Sequence, residues 1–215
     1  YPHSDLVRLS ALEIGMVRSS LGEHEKAIDA YKKVITLYPG SEESYTALQG
    51  IESSYVTLNR ISDYLAYTKT LGTIITVPST NKEDSLTYMA AEHQFIQGNY
   101  KEAAKGLEQY VERFCPVGRY CTQASYYLAT SYYNINDTLH ALAAYDHLTQ
   151  IANNPYIEEA YTRCAILSYD IQQYDSARVY FQALQKIANS TEIINAARIG
   201  TLRCSNKLQE FSTTI

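Results

Sequence analysis

The side chains able to do chemistry are scattered along this 215-residue chain rather than gathered. His93 belongs to a different helical segment from His140 and His147, and no Cys-x-x-Cys pair occurs, so a tetrahedral zinc set has no ligand spacing to draw on. His140 and His147 stand seven residues apart and would share one helix face. The pair Glu158-Glu159 falls where a helix would begin, and Asp63, Asp84 and Asp137 fall in turns or first turns. Carboxylates in such places complement the positive end of a helix dipole, which explains them without catalysis. No Ser-His-Asp elbow, glycine-rich phosphate loop or paired catalytic carboxylates emerge. The expectation is a non-enzymatic chain with no cofactor and no metal.

Cysteine and tyrosine leave more open. Cys115 and Cys121 flank the segment Cys115-Pro116-Val117-Gly118-Arg119-Tyr120-Cys121. A disulfide is sterically allowed there, would add only ~2 kcal/mol because the loop is short, and would need an oxidising compartment; two free thiols are the alternative. Cys164 and Cys204 lie on apolar helical faces and read as buried, inert thiols. Tyrosine is the compositional outlier, at 21 residues against 4 Phe and no Trp.

The elements that must position these residues are marked by proline. The five prolines are Pro2, Pro39, Pro78, Pro116 and Pro155, separated by 37, 39, 38 and 39 residues. Proline lacks the N–H a helix interior needs, so each marks the end of one helical unit and the entry to the next. A stop signal at constant pitch signifies internal repeats. Between prolines the apolar residues recur at helical spacing, as at Ala27, Tyr31, Val34 and Tyr38. An earlier helix spans about 6–21, with Leu9, Leu12, Met16 and Val17 expected on its apolar stripe, and Gly22 breaks it from the next. The unit is helix A, turn, helix B.

These units resemble tetratricopeptide repeats. Gly15, Gly22, Ala27, Tyr31 and Pro39 occupy the repeat's small slot in helix A, turn, small slot in helix B, aromatic slot and terminal proline. The third unit matches with Ala91, Gly98-Asn99-Tyr100, Ala103, Leu107 and Pro116. The fourth carries Ala129, Asn136-Asp137, Ala141 and Tyr145, and the fifth Ala165, Gln173-Tyr174-Asp175, Ala177 and Phe181. The second is degenerate, with Asn59-Arg60 at the turn and Tyr64 where Ala is expected. A last half-unit is expected from about Thr191, with Glu210-Phe211 at its turn and Thr214 at its Ala slot. The resemblance implies an all-α, right-handed superhelix of about five helix-turn-helix units plus a partial sixth. Its repeats would run 5–39, 42–78, 83–116, 121–155, 157–189 and 191–215, in one solenoid cut from a longer chain. Small residues are required where helices A and B cross closely.

In this architecture the A helices line the concave face. The resemblance then puts Tyr88, Phe95, Tyr126, Tyr133 and Tyr169 on that face, where an aromatic row would bind a protein or peptide partner. Packing within the repeats is the competing use of any single tyrosine. The carboxylate clamp of chaperone-tail binders has no counterpart, since the matching positions hold Leu12, Met16, Tyr88, Glu92, Tyr126 and Thr130.

Net charge of −5 and a pI near 5.5 argue against nucleic acid, and no apolar run is long enough to span a membrane. Stretches such as Ala47-Leu48-Gln49-Gly50-Ile51 and Glu83-Asp84-Ser85-Leu86-Thr87-Tyr88 resemble exported repeat proteins of Bacteroides-type bacteria, which implies the periplasm or cell envelope. The expected function is an adaptor binding protein or peptide on the concave face. A structural spacer in a longer solenoid, and less so a glycan-binding outer-membrane lipoprotein, are the alternatives. Self-association is expected through the uncapped C-terminal end.

Overall fold

The computed structural model describes residues 5–72 and 80–212, and every regular element among them is an α-helix. In order these are α1 (Asp5–Ser20), α2 (His24–Leu37), α3 (Glu42–Thr57), α4 (Ile61–Thr70), α5 (Thr80–Ile96), α6 (Tyr100–Phe114), α7 (Cys121–Asn134), α8 (Thr138–Thr149), α9 (Ile157–Asp170), α10 (Tyr174–Ile187) and α11 (Thr191–Ser212). Odd-numbered helices take the A role and even-numbered helices the B role. The expected all-helical architecture of helices packed on their chain neighbours is what the structure has. The chain divides between Arg119 and Tyr120 into two compact units.

The turns inside the hairpins share one device. Gly22, Asn59, Gly98, Asn136 and Gln172 all have positive φ, between 54° and 77°, directly after helix A. Glycine and asparagine tolerate that conformation best, and it reverses the chain within two or three residues. Between hairpins, side chains close the helix ends. Ser41 accepts the amide of Ser44 at 3.2 Å to start α3, whose first turn also carries Glu42 and Glu43. Asn154, itself buried, donates to the carbonyl of Leu148 at 2.8 Å and accepts from the amide of Tyr156 at 2.9 Å. That side chain explains why α8 stops at Thr149, well before Pro155, which introduces α9 instead of ending α8. Pro39 and Pro116 do stand just past the ends of α2 and α6, whereas Pro2 and Pro78 lie outside the described residues.

In the first unit, α2 supplies the buried face: Ala27, Ile28, Tyr31, Val34 and Ile35 pack with Ala47, Ile51 and Tyr55 of α3 and Tyr64 of α4. Ala27 and Ala103 are wholly buried at the expected small slots. Tyr64, which takes the slot of the second repeat between them, is buried as well, and its hydroxyl leaves the core by donating to Glu52. The Tyr31 ring shows what the crossing demands. It lies between Gly15 of α1 and Gly50 of α3, so close that a Cβ added at either would stand 2.4–2.5 Å from ring atoms. In the second unit, Ala129, Ala141, Tyr145, Leu148, Ala160, Cys164 and Leu167 form the core. Phe181 sits against Gly200 of α11 as Tyr31 sits against Gly50, 150 residues earlier.

Two expectations are corrected. Of the stripe Leu9, Leu12, Met16 and Val17, only Leu12 is buried. Helices α2 and α3 engage α1 through the side bearing Ala11, Leu12 and Gly15, which leaves Leu9, Met16 and Val17 facing water. The expected turn at Glu210-Phe211 is helical, because α11 runs unbroken for 22 residues to Ser212. Neither Gly, Asn nor Pro interrupts it there, and Thr214 lies outside the described residues.

Candidate interaction surface on the A helices

The five aromatic residues expected to share a wall do three different jobs. Tyr88 is a core residue, 4% exposed, and its place on a binding wall is corrected. Its ring meets the edge of Tyr110 at 5.7 Å, and its hydroxyl donates to Glu92 Oε1 at 2.7 Å. Tyr110 in turn donates to Asp84, which also accepts the amide of Arg119 at 3.0 Å. Asp84 is thus a satisfied structural carboxylate.

Phe95 and Tyr169 do a second job. Each closes its own hairpin by an edge-on contact with the first residue of the following B helix: Phe95 with Tyr100 at 5.6 Å, and Tyr169 with Tyr174 at 5.2 Å. Both are half-buried. The equal spacing that placed them in one row reflects a repeated turn contact.

Tyr126 and Tyr133 come together with residues that the spacing did not single out. The Tyr126 ring lies flat on Tyr156, centroids 3.9 Å apart and planes within 5°. Its hydroxyl donates to Glu159 Oε2 at 2.9 Å, and the Tyr156 hydroxyl donates to Gln123. Arg163 then spans the space beyond: its guanidinium stands 4.3 Å from the Tyr133 ring centre, and its Nε is 3.6 Å from Glu159 Oε1. One turn of α9 therefore presents Glu159 and Arg163 to the aromatic face of α7, joining successive A helices by stacking, a charged hydrogen bond and a cation–π contact. Desolvation first, then the bond to Glu159 and its negative charge, push the Tyr126 phenol up to about 12. The phenol remains a neutral donor at any physiological pH. Tyr133 is the most open member, at 36% exposure. The missed partners Tyr156, Glu159 and Arg163 carry no periodic signal of their own. The one available hint was Glu159 at a helix start with an Arg four residues on.

The other residues with chemical potential are structurally engaged. His140 pairs with Asp137 at 2.8 Å, and the same aspartate caps α8 by accepting the His140 amide at 3.3 Å. Glu158 accepts the amide of Asn189 at 3.0 Å. Cys164 and Cys204 are free and buried, and burial, followed by the charge of Asp146, pushes the Cys164 thiol up to about 12. Cys115 and Cys121 are both disulfide-bonded. Among the described residues, no His, Cys, Asp and Glu group could hold a metal ion, and no helix is long and apolar enough to cross a membrane.

Fold and surface together define a class: tandem α-helical hairpins whose second unit carries an aromatic and charged cluster between successive A helices. More particularly, residues 10–41 match the tetratricopeptide-repeat family, so α1 and α2 carry such a repeat. No curated protein matches the chain. Among solved structures it is similar to YrrB, described as a tetratricopeptide-repeat protein with an unusual peptide-binding site (17% identity, 87% of this chain and 90% of that one, TM-score 0.44). It is also similar to PilF of Pseudomonas aeruginosa (14% identity, 98% and 99%, TM-score 0.43). A third is a kinesin light chain-like repeat protein from Podospora anserina (13% identity, 83% and 92%, TM-score 0.40).

Proposed function

We propose that this chain is a non-enzymatic scaffold that binds a protein or peptide segment on its A-helix face, with the contact centred on Tyr126, Tyr133, Glu159 and Arg163. The observation that carries this reading is the pre-ordered Tyr133–Arg163–Glu159–Tyr126 cluster. Its side chains are already held by one another, so a partner meets a surface whose ordering cost has largely been met before binding. Tyrosine and arginine are also the residue types that dominate binding hot spots.

The test is capture from envelope and cytosolic extracts, followed by calorimetry with the captured partner. Tyr133→Ala combined with Tyr126→Ala is expected to weaken binding at least about tenfold while the helical signal and melting cooperativity persist. Tyr126→Phe, which keeps the stack on Tyr156 and loses the bond to Glu159, separates loss of the surface from local loosening. Equal binding by wild type and double variant would sink the reading. A spacer role in a longer solenoid would then be favoured, since Tyr88, Phe95 and Tyr169 already serve packing. We further propose an exported, oxidising location; the disulfide-bonded state of Cys115 and Cys121 supports it, because such bonds persist where thiols are not kept reduced.

A further inference from the structure

Two slots of the repeat meet between successive B helices, and the two units fill them with opposite chemistry. In the second unit, Asp146 of α8 stands five residues after the small slot Ala141, and Tyr180 of α10 stands three residues after Ala177. The Tyr180 hydroxyl donates to Asp146 Oδ1 at 2.6 Å. The same slots in the first unit, counted from Ala27 and Tyr64, hold Lys32 of α2 and Tyr67 of α4. These also meet, with Lys32 Nζ 4.7 Å from the centre of the Tyr67 ring. A donor has replaced the acceptor.

Around Lys32, donors outnumber acceptors. An ammonium has three donors and no acceptor, and one of the three goes to the Tyr55 hydroxyl at 3.1 Å. Among the described residues the other two reach no oxygen, and no carboxylate pairs with the charge. The faces of Tyr55 and Tyr67, at 5.6 and 4.7 Å, steady the ammonium but offer it no lone pair. Tyr55 is buried, and while its oxygen accepts from Lys32, its hydroxyl hydrogen has no acceptor among the described residues; nor has that of Tyr67. Shielded donors in that state cost free energy until an acceptor arrives. Burial first, then the neighbouring Tyr55, raise the Tyr67 phenol above its ordinary value, so it stays a proton donor at neutral pH. The carboxylates of the surrounding helices are turned elsewhere. Glu25 of α2 and Asp63 of α4 both bind Arg60, whose guanidinium stands 5.6 Å from the Tyr55 ring centre. Asp29, nearly one turn before Lys32, lines the groove toward α1.

We propose that Lys32, Tyr55 and Tyr67 form a carboxylate-binding site, where the acidic side chain of a partner or a small free acid supplies the acceptor that Asp146 supplies internally in the second unit. One negative charge answers one ammonium, and the two carboxylate oxygens have lone pairs enough for the ammonium and both phenols. This site does not rest on the A-helix cluster and stands or falls separately from it. The test is NMR of the chain with isotope-labelled tyrosine rings, titrated at neutral pH with sodium acetate against sodium chloride of equal ionic strength. The wild type is expected to show saturable acetate shifts at Tyr55 and Tyr67, with a Kd of about 1–50 mM, and no such response to chloride. Tyr67→Phe, which keeps the ring beside Lys32, should weaken binding about three- to tenfold. Lys32→Met should abolish it. Lys32→Asp, which installs the acceptor of the second unit, should abolish it too while the melting transition is kept or raised. A blocked peptide bearing a single glutamate, titrated beside acetate, separates the two sources: tighter binding by the peptide assigns a partner's side chain, equal binding a free acid. Shifts that chloride reproduces, that inorganic phosphate saturates at lower concentration than acetate, or that survive both Lys32 variants overturn the proposal.

Discussion

Replacing Gly50 by alanine sets two effects of opposite sign against each other at one atom. In the interior of α3, alanine favours the helix over glycine by about 1 kcal/mol. The added Cβ, however, would stand 2.5 Å from two atoms of the Tyr31 ring, where ordinary contact begins near 3.4 Å. The ring must therefore retreat by roughly 1 Å, and it is 4% exposed with Gly15 pressed against it from the other side. Overpacking a site that cannot yield costs about 1–3 kcal/mol, and confinement on both sides places this one at the upper end. The net expectation is a loss of about 2 kcal/mol, or roughly 5–10 °C in the melting temperature of a unit this size. Circular dichroism melts and urea titrations read it. The decisive comparison is a double-mutant cycle with Tyr31→Ala, which alone should cost about 3–5 kcal/mol through the cavity it leaves. Once the ring is gone, Gly50→Ala should become neutral or stabilising by about 1 kcal/mol, a coupling of roughly 2–3 kcal/mol. If Gly50→Ala raises the melting temperature in the wild type, or costs the same in both backgrounds, the wedge argument for this repeat crossing is wrong.

Three further outcomes are expected. Ala141→Leu, at a wholly buried helix crossing, should destabilise the second unit by about 1–3 kcal/mol or more, and an unchanged melting midpoint would reject the repeat register. Thiol titration of the native protein should find no fast-reacting cysteine, the unfolded protein two and the reduced unfolded protein four, with reduction removing about 2 kcal/mol of stability; four thiols without reductant would contradict the bonded pair. Tyr126 holds its proton more tightly folded than unfolded, since its phenol rises to about 12 from an ordinary 10. Its contribution to stability is therefore complete below pH 10 and lost as pH rises toward 12, so alkaline melts of Tyr126→Phe should show a shallower decline in that window than the wild type.

The fold was legible because the constraints that make it are local and recur. Proline pitch, a tolerant residue after each A helix and a small residue at each crossing are one-dimensional signals, and the wholly buried Ala27, Ala103, Ala141 and Ala177 answer to them. Where legibility failed, a side chain from elsewhere had replaced the local signal. Asn154 ends α8 before any proline does, by reaching back to Leu148. No glycine or proline falls in 205–212, so α11 continues past the expected turn. The α1 stripe failed differently: helical spacing identifies an apolar face but not which neighbour, if any, it turns to. Only the identity of the faces engaged by α2 and α3 decides that.

The aromatic row shows why repeats reveal a fold more readily than a site. Tyr88, Phe95, Tyr126, Tyr133 and Tyr169 sit at repeating positions, yet what each does depends on the residue opposite. Tyr100 and Tyr174 draw Phe95 and Tyr169 into turn contacts, Tyr110 receives Tyr88 in the core, and Arg163 alone holds Tyr133 at the surface. Those opposite residues are where the repeats differ, because packing tolerates several answers at these positions. A binding surface in such a fold is therefore written in the departures from the repeat. Arg163 makes the point: it occupies the slot that is Gly50 in α3 and Gly200 in α11, where a B-helix ring would otherwise press against bare backbone. Filling that slot with a long cation gives α9 its reach toward Tyr133, so Arg163→Gly, which places there the residue found in α3 and α11, should keep the hairpins and remove the cluster's outer half. Loss of partner binding with an intact helical spectrum is the expected result, and full binding by Arg163→Gly would show that the cluster is packing.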